Sequence, residues 1–213
     1  VTTSERAYLP TGDTEENQGH PLRLNLQLWR LLDWRFLLPV LEPRSVGYAG
    51  AIDRDTKAAL GLLNAQASPI LPGGEGASVK SFHVVLVSSP DRQLLRAAAA
   101  AVEPGGWICV QTRRSIPSRS RPGTLAGVRR ALVREGFGEV RIHWHAPGLA
   151  LPSRIVDAGS TTAVRNTLSR HHTVRFGRVK AAIGTVILAL RLFGVAIPEG
   201  TVTGSRPVRG DTQ

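Results

Sequence analysis

The chain has no methionine, a single cysteine and only three lysines among its 27 basic residues. Aromatics make up 5% of the 213 residues. Each scarcity excludes something. Cys109 alone cannot form an intramolecular disulfide, and its apolar setting in "GWICVQ" reads as a small buried core residue rather than a nucleophile. Few aromatics, with Phe176 alone inside the basic stretches, means no stacking platform for single-stranded nucleic acid. No zinc-finger spacing, Walker loop, CxxC pair or Ser/His/Asp elbow is present, and Lys80 lacks the glycine pattern of a phosphate-binding lysine. The first twenty residues, "VTTSERAYLPTGDTEENQGH", are polar and mildly acidic, with no secretory signal, and the expected location is cytoplasmic.

What is present is arginine. The net charge is +11 and the isoelectric point about 11.3. Such a balance favours an anionic surface or substrate. The charge is dispersed, with local density at Arg113–Arg121 and Arg165–Lys180, so nucleic acid is not the expected partner. Hydrophobic residues at 42% and charged residues at 20% describe an ordinary globular protein, and the length suits one domain with tails.

Along the chain, 1–20 reads as a flexible leader and 21–177 as one α/β domain. The apolar segment Leu22–Leu41 reads as helix or helical turn from about Gln27, stopped by Pro39. "SVGYAG" is a short buried strand, and "DRDTKAALGLLN" a helix that Asp53 can cap. A short strand is expected at "SPIL". "FHVVLVSS" and "WICVQTR" are continuous apolar runs of the kind found at the centre of a parallel sheet. "PDRQLLRAAAAAVE" and "TLAGVRRALVREGF" read as helices, the second ended by Gly136. "GEVRIHWHAPG" and "SRIVDAG" follow as strands, and "STTAVRNTLSR" as a helix capped by Ser160. Residues 178–200 are expected as an apolar C-terminal helix packed on the domain or a partner, and 201–213 as a flexible tail. The alternation predicts a Rossmann-like, doubly wound, mostly parallel sheet.

The stretch "FHVVLVSSPDRQLLRAAAAAVEPGGWICVQTRR", with Phe82-His83-Val84-Val85 and Val102-Glu103-Pro104-Gly105-Gly106-Trp107-Ile108, resembles the second half of class I S-adenosylmethionine-dependent methyltransferases. "REGFGEVRIHWHAPG" is similar to that family's entry into the antiparallel end of its sheet. The resemblance spans roughly residues 40–157. It implies a cofactor loop at "GYAGAIDRD", where the family carries E/D-x-G-x-G-x-G so that the backbone can approach the ligand without β-carbons. Here Gly47 and Gly50 stand among Ala49 and Ala51. It also implies a carboxylate after the second strand to accept the ribose hydroxyls, for which "SPILPGGEG" offers only Glu75. The cofactor-site candidates are thus Gly47, Tyr48, Gly50, Asp53, Glu75 and Ser88.

Ser88, Ser89 and Asp91 lie just past the central strand, where ligands collect in doubly wound sheets, with helix capping as the alternative role. In "HWH", strand alternation puts His143 and His145 on one face and Trp144 on the other, and His145 is the candidate general base. Ser89, Asp91 and His145 are therefore the catalytic candidates. No third ligand is placed near the histidines, so no metal is expected. The reading that results is a methyltransferase-fold protein with an eroded S-adenosylmethionine site, a non-catalytic accessory or scaffolding subunit of a biosynthetic complex. A protein partner is expected, through Val179–Ile197. The alternatives are an active methyltransferase on a small molecule or peptide, and a basic module for nucleic acid or a membrane surface, with membrane contact peripheral at most.

Overall fold

The computed structural model describes residues 28–63, 66–71, 81–113, 122–146, 152–169 and 193–208, with isolated positions Leu26, Leu149, Ala182, Gly184, Val186 and Ile187. The expected leader, Glu75 and most of Val179–Ile197 lie outside the described residues. A 3-10 turn at Asp33–Leu37 leads through Pro39 into β1 (Ser45–Gly50), α1 (Arg54–Leu60) and β2 (Gln66–Pro69). β3 (Phe82–Ser88), α2 (Arg92–Ala100) and β4 (Val102–Arg113) follow. The remainder is α3 (Leu125–Arg134), β5 (Gly138–Ala146), β6 (Arg154–Asp157), α4 (Thr161–Ser169), α5 (Phe193–Ala196) and β7 (Glu199–Ser205).

The seven strands form one sheet in the order β2-β1-β3-β4-β7-β5-β6. The first four are mutually parallel. β7 runs antiparallel to both β4 and β5, and β6 antiparallel to β5. The sheet is therefore mixed, which corrects the mostly parallel expectation. The reason is β7. "EGTVTGS" carries one large apolar side chain and looks like a polar tail, yet residues 200–204 are buried between β4 and β5. Its backbone completes two ladders at once, and burial of Thr201 and Thr203 follows from that position rather than from their side chains.

The expected apolar C-terminal helix does not run on to residue 200, because β7 begins at Glu199; most of residues 178–192 lies outside the described residues. Its last described part is the four-residue α5, and Pro198 ends it before β7 begins. Phe193 and Ile197 are buried in the core, where Phe193 meets Trp144 edge-on at a centroid distance of 5.5 Å. Among the described residues, no helix is long and apolar enough to cross a membrane.

Helices cover both faces. On one face, Leu94, Leu95, Ala98 and Ala99 of α2, with Leu125, Val128 and Leu132 of α3, pack on Val85, Val87, Ile108, Val110 and Val202. On the other, Leu32, Trp34, Leu38, Ala59 and Leu60 pack on Val46, Val84, Leu86 and Cys109. β3 and β4 are sandwiched by these layers, so their apolar runs need no alternation. Cys109 is fully buried, and that burial pushes its thiol pKa well up.

Local chemistry sets the helix ends. Asp53 accepts from Thr56 N at 2.6 Å, Asp91 from Leu94 N at 2.7 Å, and Thr124 Oγ1 from Gly127 N at 3.0 Å. Gly136, at φ +85°, closes α3: its N–H bonds Val133 O, and Phe137 N–H reaches back to Leu132 O, both at 3.1 Å. The Pro104-Gly105-Gly106 turn is not a connection ahead of the strand. It bulges within β4, because Phe82 pairs with Val102 while Val84 pairs with Trp107. Gly105 N–H bonds Arg206 O there, and the Arg206 guanidinium donates to the carbonyls of Ala99 and Val102, which ties the end of β7 to the end of α2.

Candidate functional site

β1 leads through α1 to β2 on one side, while β3 leads through α2 to β4 on the other. Helix α1 packs on one face of the sheet and α2 on the opposite face. The carboxyl ends of β1 and β3 thus form the topological switch point, the crevice where doubly wound sheets bind ligands. Gly50 and Ser88 are register partners at that edge. Asp53 and Asp91, the two caps, follow them directly, so the fold gathers Gly50, Asp53, Ser88, Ser89 and Asp91 around one crevice.

The backbone there is constrained. Gly50 sits at φ +92°, and a β-carbon on it would collide with the Ser88 carbonyl oxygen. Only glycine fits, and the close approach of β3 is sufficient reason for it. Ser89 has φ +52°, an uncommon value for a residue with a β-carbon, and its N–H bonds Gln111 O at 3.1 Å. Both carboxylates are engaged as caps. Gly47 is not at the crevice. It lies mid-strand, and a β-carbon on it would stand 2.6 Å from Phe82 Cδ2 and 2.7 Å from Ile70 Cδ1. Tyr48 is half-buried against the apolar layer of Leu32 and Trp34, and its carbonyl accepts from Ile70 N at 2.8 Å. After β2 come Ile70 and Leu71, so the three residues Pro69, Ile70 and Leu71 present no carboxylate; Leu71 is 77% exposed.

His145 is elsewhere. Three strand spacings separate β5 from β3, the strand that leads to Ser89 and Asp91, about 14 Å at the usual interval. The structure therefore does not bring His145 together with Ser89 and Asp91. The expected alternation does hold: Trp144 faces α5, and both imidazoles face the opposite side. There they meet two threonines that the sequence reading missed. His143 Nε2 lies 3.1 Å from Thr203 Oγ1, and His145 Nε2 lies 2.9 Å from Thr201 Oγ1. The available signal was the T-V-T alternation of residues 201–203, which places both hydroxyls on one face.

These four side chains are buried. Burial holds the His145 pKa down at about 4, the nearby His143 lowers it further, and Glu199 opposes. His143 is also lowered, by burial first, against an opposing Asp157 and with a lowering contribution from Arg141. Both are neutral at pH 7. Nδ1 of His145 is buried with no hydrogen-bond partner among the described residues. A base of this kind, 3% exposed and weakly basic, is poorly suited to taking a substrate proton near neutral pH. Register links the two regions. Ser88 pairs with Gln111, Gln111 with Thr201, and Thr201 with His143, so one polar row crosses four strands at this edge. Among the described residues, no three His, Cys, Asp or Glu side chains converge as a metal site.

No family model and no curated protein matches the sequence. Among solved structures, the chain is similar to an S-adenosylmethionine-dependent methyltransferase from Thermotoga maritima. The two are 13% identical, with 87% of this chain and 91% of that one covered and a TM-score of 0.46. A second such methyltransferase, from Archaeoglobus fulgidus, is 13% identical, with coverage of 85% and 94% and a TM-score of 0.47. A phosphoethanolamine N-methyltransferase from Haemonchus contortus is 10% identical, with coverage of 84% and 52% and a TM-score of 0.44. Each is a distant likeness and assigns no residue a role.

Proposed function

We propose that this chain is a methyltransferase-fold protein whose S-adenosylmethionine site is eroded, and that it serves as an accessory or scaffolding subunit of a biosynthetic complex. The observation that carries the reading is at β1. Phe82 and Ile70 fill the space over Gly47, so this glycine opens no approach to the crevice, and Pro69, Ile70 and Leu71, the described residues that end and follow β2, offer no carboxylate for a ribose. Gly50 supports the same view, since strand packing alone demands it. A partner is supported by Leu26, Trp29, Phe36 and Leu41, large apolar side chains 42–68% exposed within one short stretch. Were the cofactor bound, it would supply an electrophilic methyl group, and Ser88 with the backbone at Gly50 would border it. Titration calorimetry with S-adenosylmethionine tests this directly: absence of heat is expected, and micromolar binding overturns it.

A second reading, an active methyltransferase with an atypical pocket, is favoured by Ser89. A left-handed serine at a switch point is the kind of strained backbone that functional sites hold. On that reading Ser89→Gly relaxes the backbone but removes the hydroxyl, and methyl transfer from labelled cofactor falls with no loss of stability. On the accessory reading, no transfer is detected from either protein.

A further inference from the structure

A groove of 420 Å³ lies between α2 and α3, on the face away from α1. Its walls carry Arg92 and Arg96 of α2 and Arg130 and Arg134 of α3. Each pair is spaced i, i+4, so each helix presents its two guanidinium groups one above the other, about 6 Å apart along the axis. Leu95, Ala131 and Val195 contribute apolar lining between them.

The charge is nearly uncompensated. Among the described residues of the lining the one acid is Glu135, which reaches Arg96 at 3.6 Å, an exposed and weak pair. Among the described residues, Arg92, Arg130 and Arg134 have no carboxylate within ion-pair distance. Four like charges around one cavity repel each other, and this arrangement costs stability unless an anion occupies it. Guanidinium forks match phosphate oxygens in pairs, and a volume of this size accommodates a small molecule.

We propose that the α2–α3 groove is a binding site for a compact oligophosphate, a small molecule with two or three linked phosphate groups clamped between the two arginine pairs. This site is separate from the crevice at β1 and β3 and does not depend on whether S-adenosylmethionine binds there. The arginine pairs on facing walls favour a compact ligand over a long strand, which would run past the groove and, among the described lining residues, find no aromatic side chain to stack on.

The test is calorimetric titration of the full chain with inorganic tripolyphosphate, with citrate and a short oligothymidylate in parallel. One tripolyphosphate per chain is expected, with affinity falling as salt rises. Arg96→Gln combined with Arg130→Gln should weaken binding at least about tenfold. Arg54→Gln combined with Arg165→Gln removes the same net charge from exposed sites on α1 and α4 and should change it less than about twofold. Circular dichroism melts of both double variants establish that they fold. No binding, or equal weakening in the two double variants, overturns the proposal. Tighter binding of citrate refutes the phosphate assignment. Oligothymidylate binding that tripolyphosphate does not displace overturns it in favour of a nucleic-acid surface.

Discussion

Acidification should destabilise this protein through His145, by an amount the structure sets. Its folded pKa of about 4 lies below the ordinary imidazole value of 6.5, chiefly because burial disfavours the imidazolium, with His143 adding to the shift. Between those two values the unfolded chain binds the proton and the folded chain does not. Stability therefore rises with pH across this window: the contribution is full above about 6.5 and is lost as pH falls toward 4. At about 1.4 kcal/mol per pH unit, the loss for His145 is about 3 kcal/mol. His143 is shifted in the same direction and adds to it. The assay is urea unfolding at intervals from pH 4.5 to 7.5 for the native chain and for His145→Gln. The variant loses the Thr201 hydrogen bond as the native chain makes it, so it is less stable at pH 7, but its stability falls less steeply with acid. Subtracting the two curves cancels the carboxylates that titrate in the same range. Parallel curves would refute the argument, because they would mean that the imidazole is solvated and protonates equally in both states.

Other expectations follow from single features. Truncation after Pro198 removes β7 from between β4 and β5 and should abolish cooperative unfolding by circular dichroism; a folded truncation product contradicts the topology. Gly50→Ala forces a β-carbon onto a left-handed backbone against Ser88 O and should cost about 2 kcal/mol or more in urea unfolding. Thr124→Ala deletes the α3 cap and should cost about 1 kcal/mol, with Thr124→Ser restoring most of it. Cys109 should stay silent to a thiol reagent in the native protein and react fully in denaturant.

The parts of the fold legible in the sequence are those decided locally. β3 and β4 are continuous apolar runs, Asp53, Asp91 and Ser160 stand where caps are needed, and alternation in "HWH" sorts Trp144 from the two histidines. What was hidden depends on distant partners. β7 is thin in apolar side chains and becomes central only because two ladders, from β4 and β5, close on it. The Pro104-Gly105-Gly106 bulge is invisible without the register of β3. At the site, the crevice residues were foreseeable from strand ends. The distance of His145 from them follows from strand order, which no local pattern encodes. The four groove arginines were only part of a dispersed charge until α2 and α3 packed on the same face.

On the proposed reading, the crevice at Gly50 and Ser88 takes up no S-adenosylmethionine. Calorimetric titration of the full chain with S-adenosylmethionine, repeated with S-adenosylhomocysteine, tests it most directly. No saturable heat is expected from either compound. Micromolar binding of either one, lost in a folded Ser88→Val variant, would contradict it.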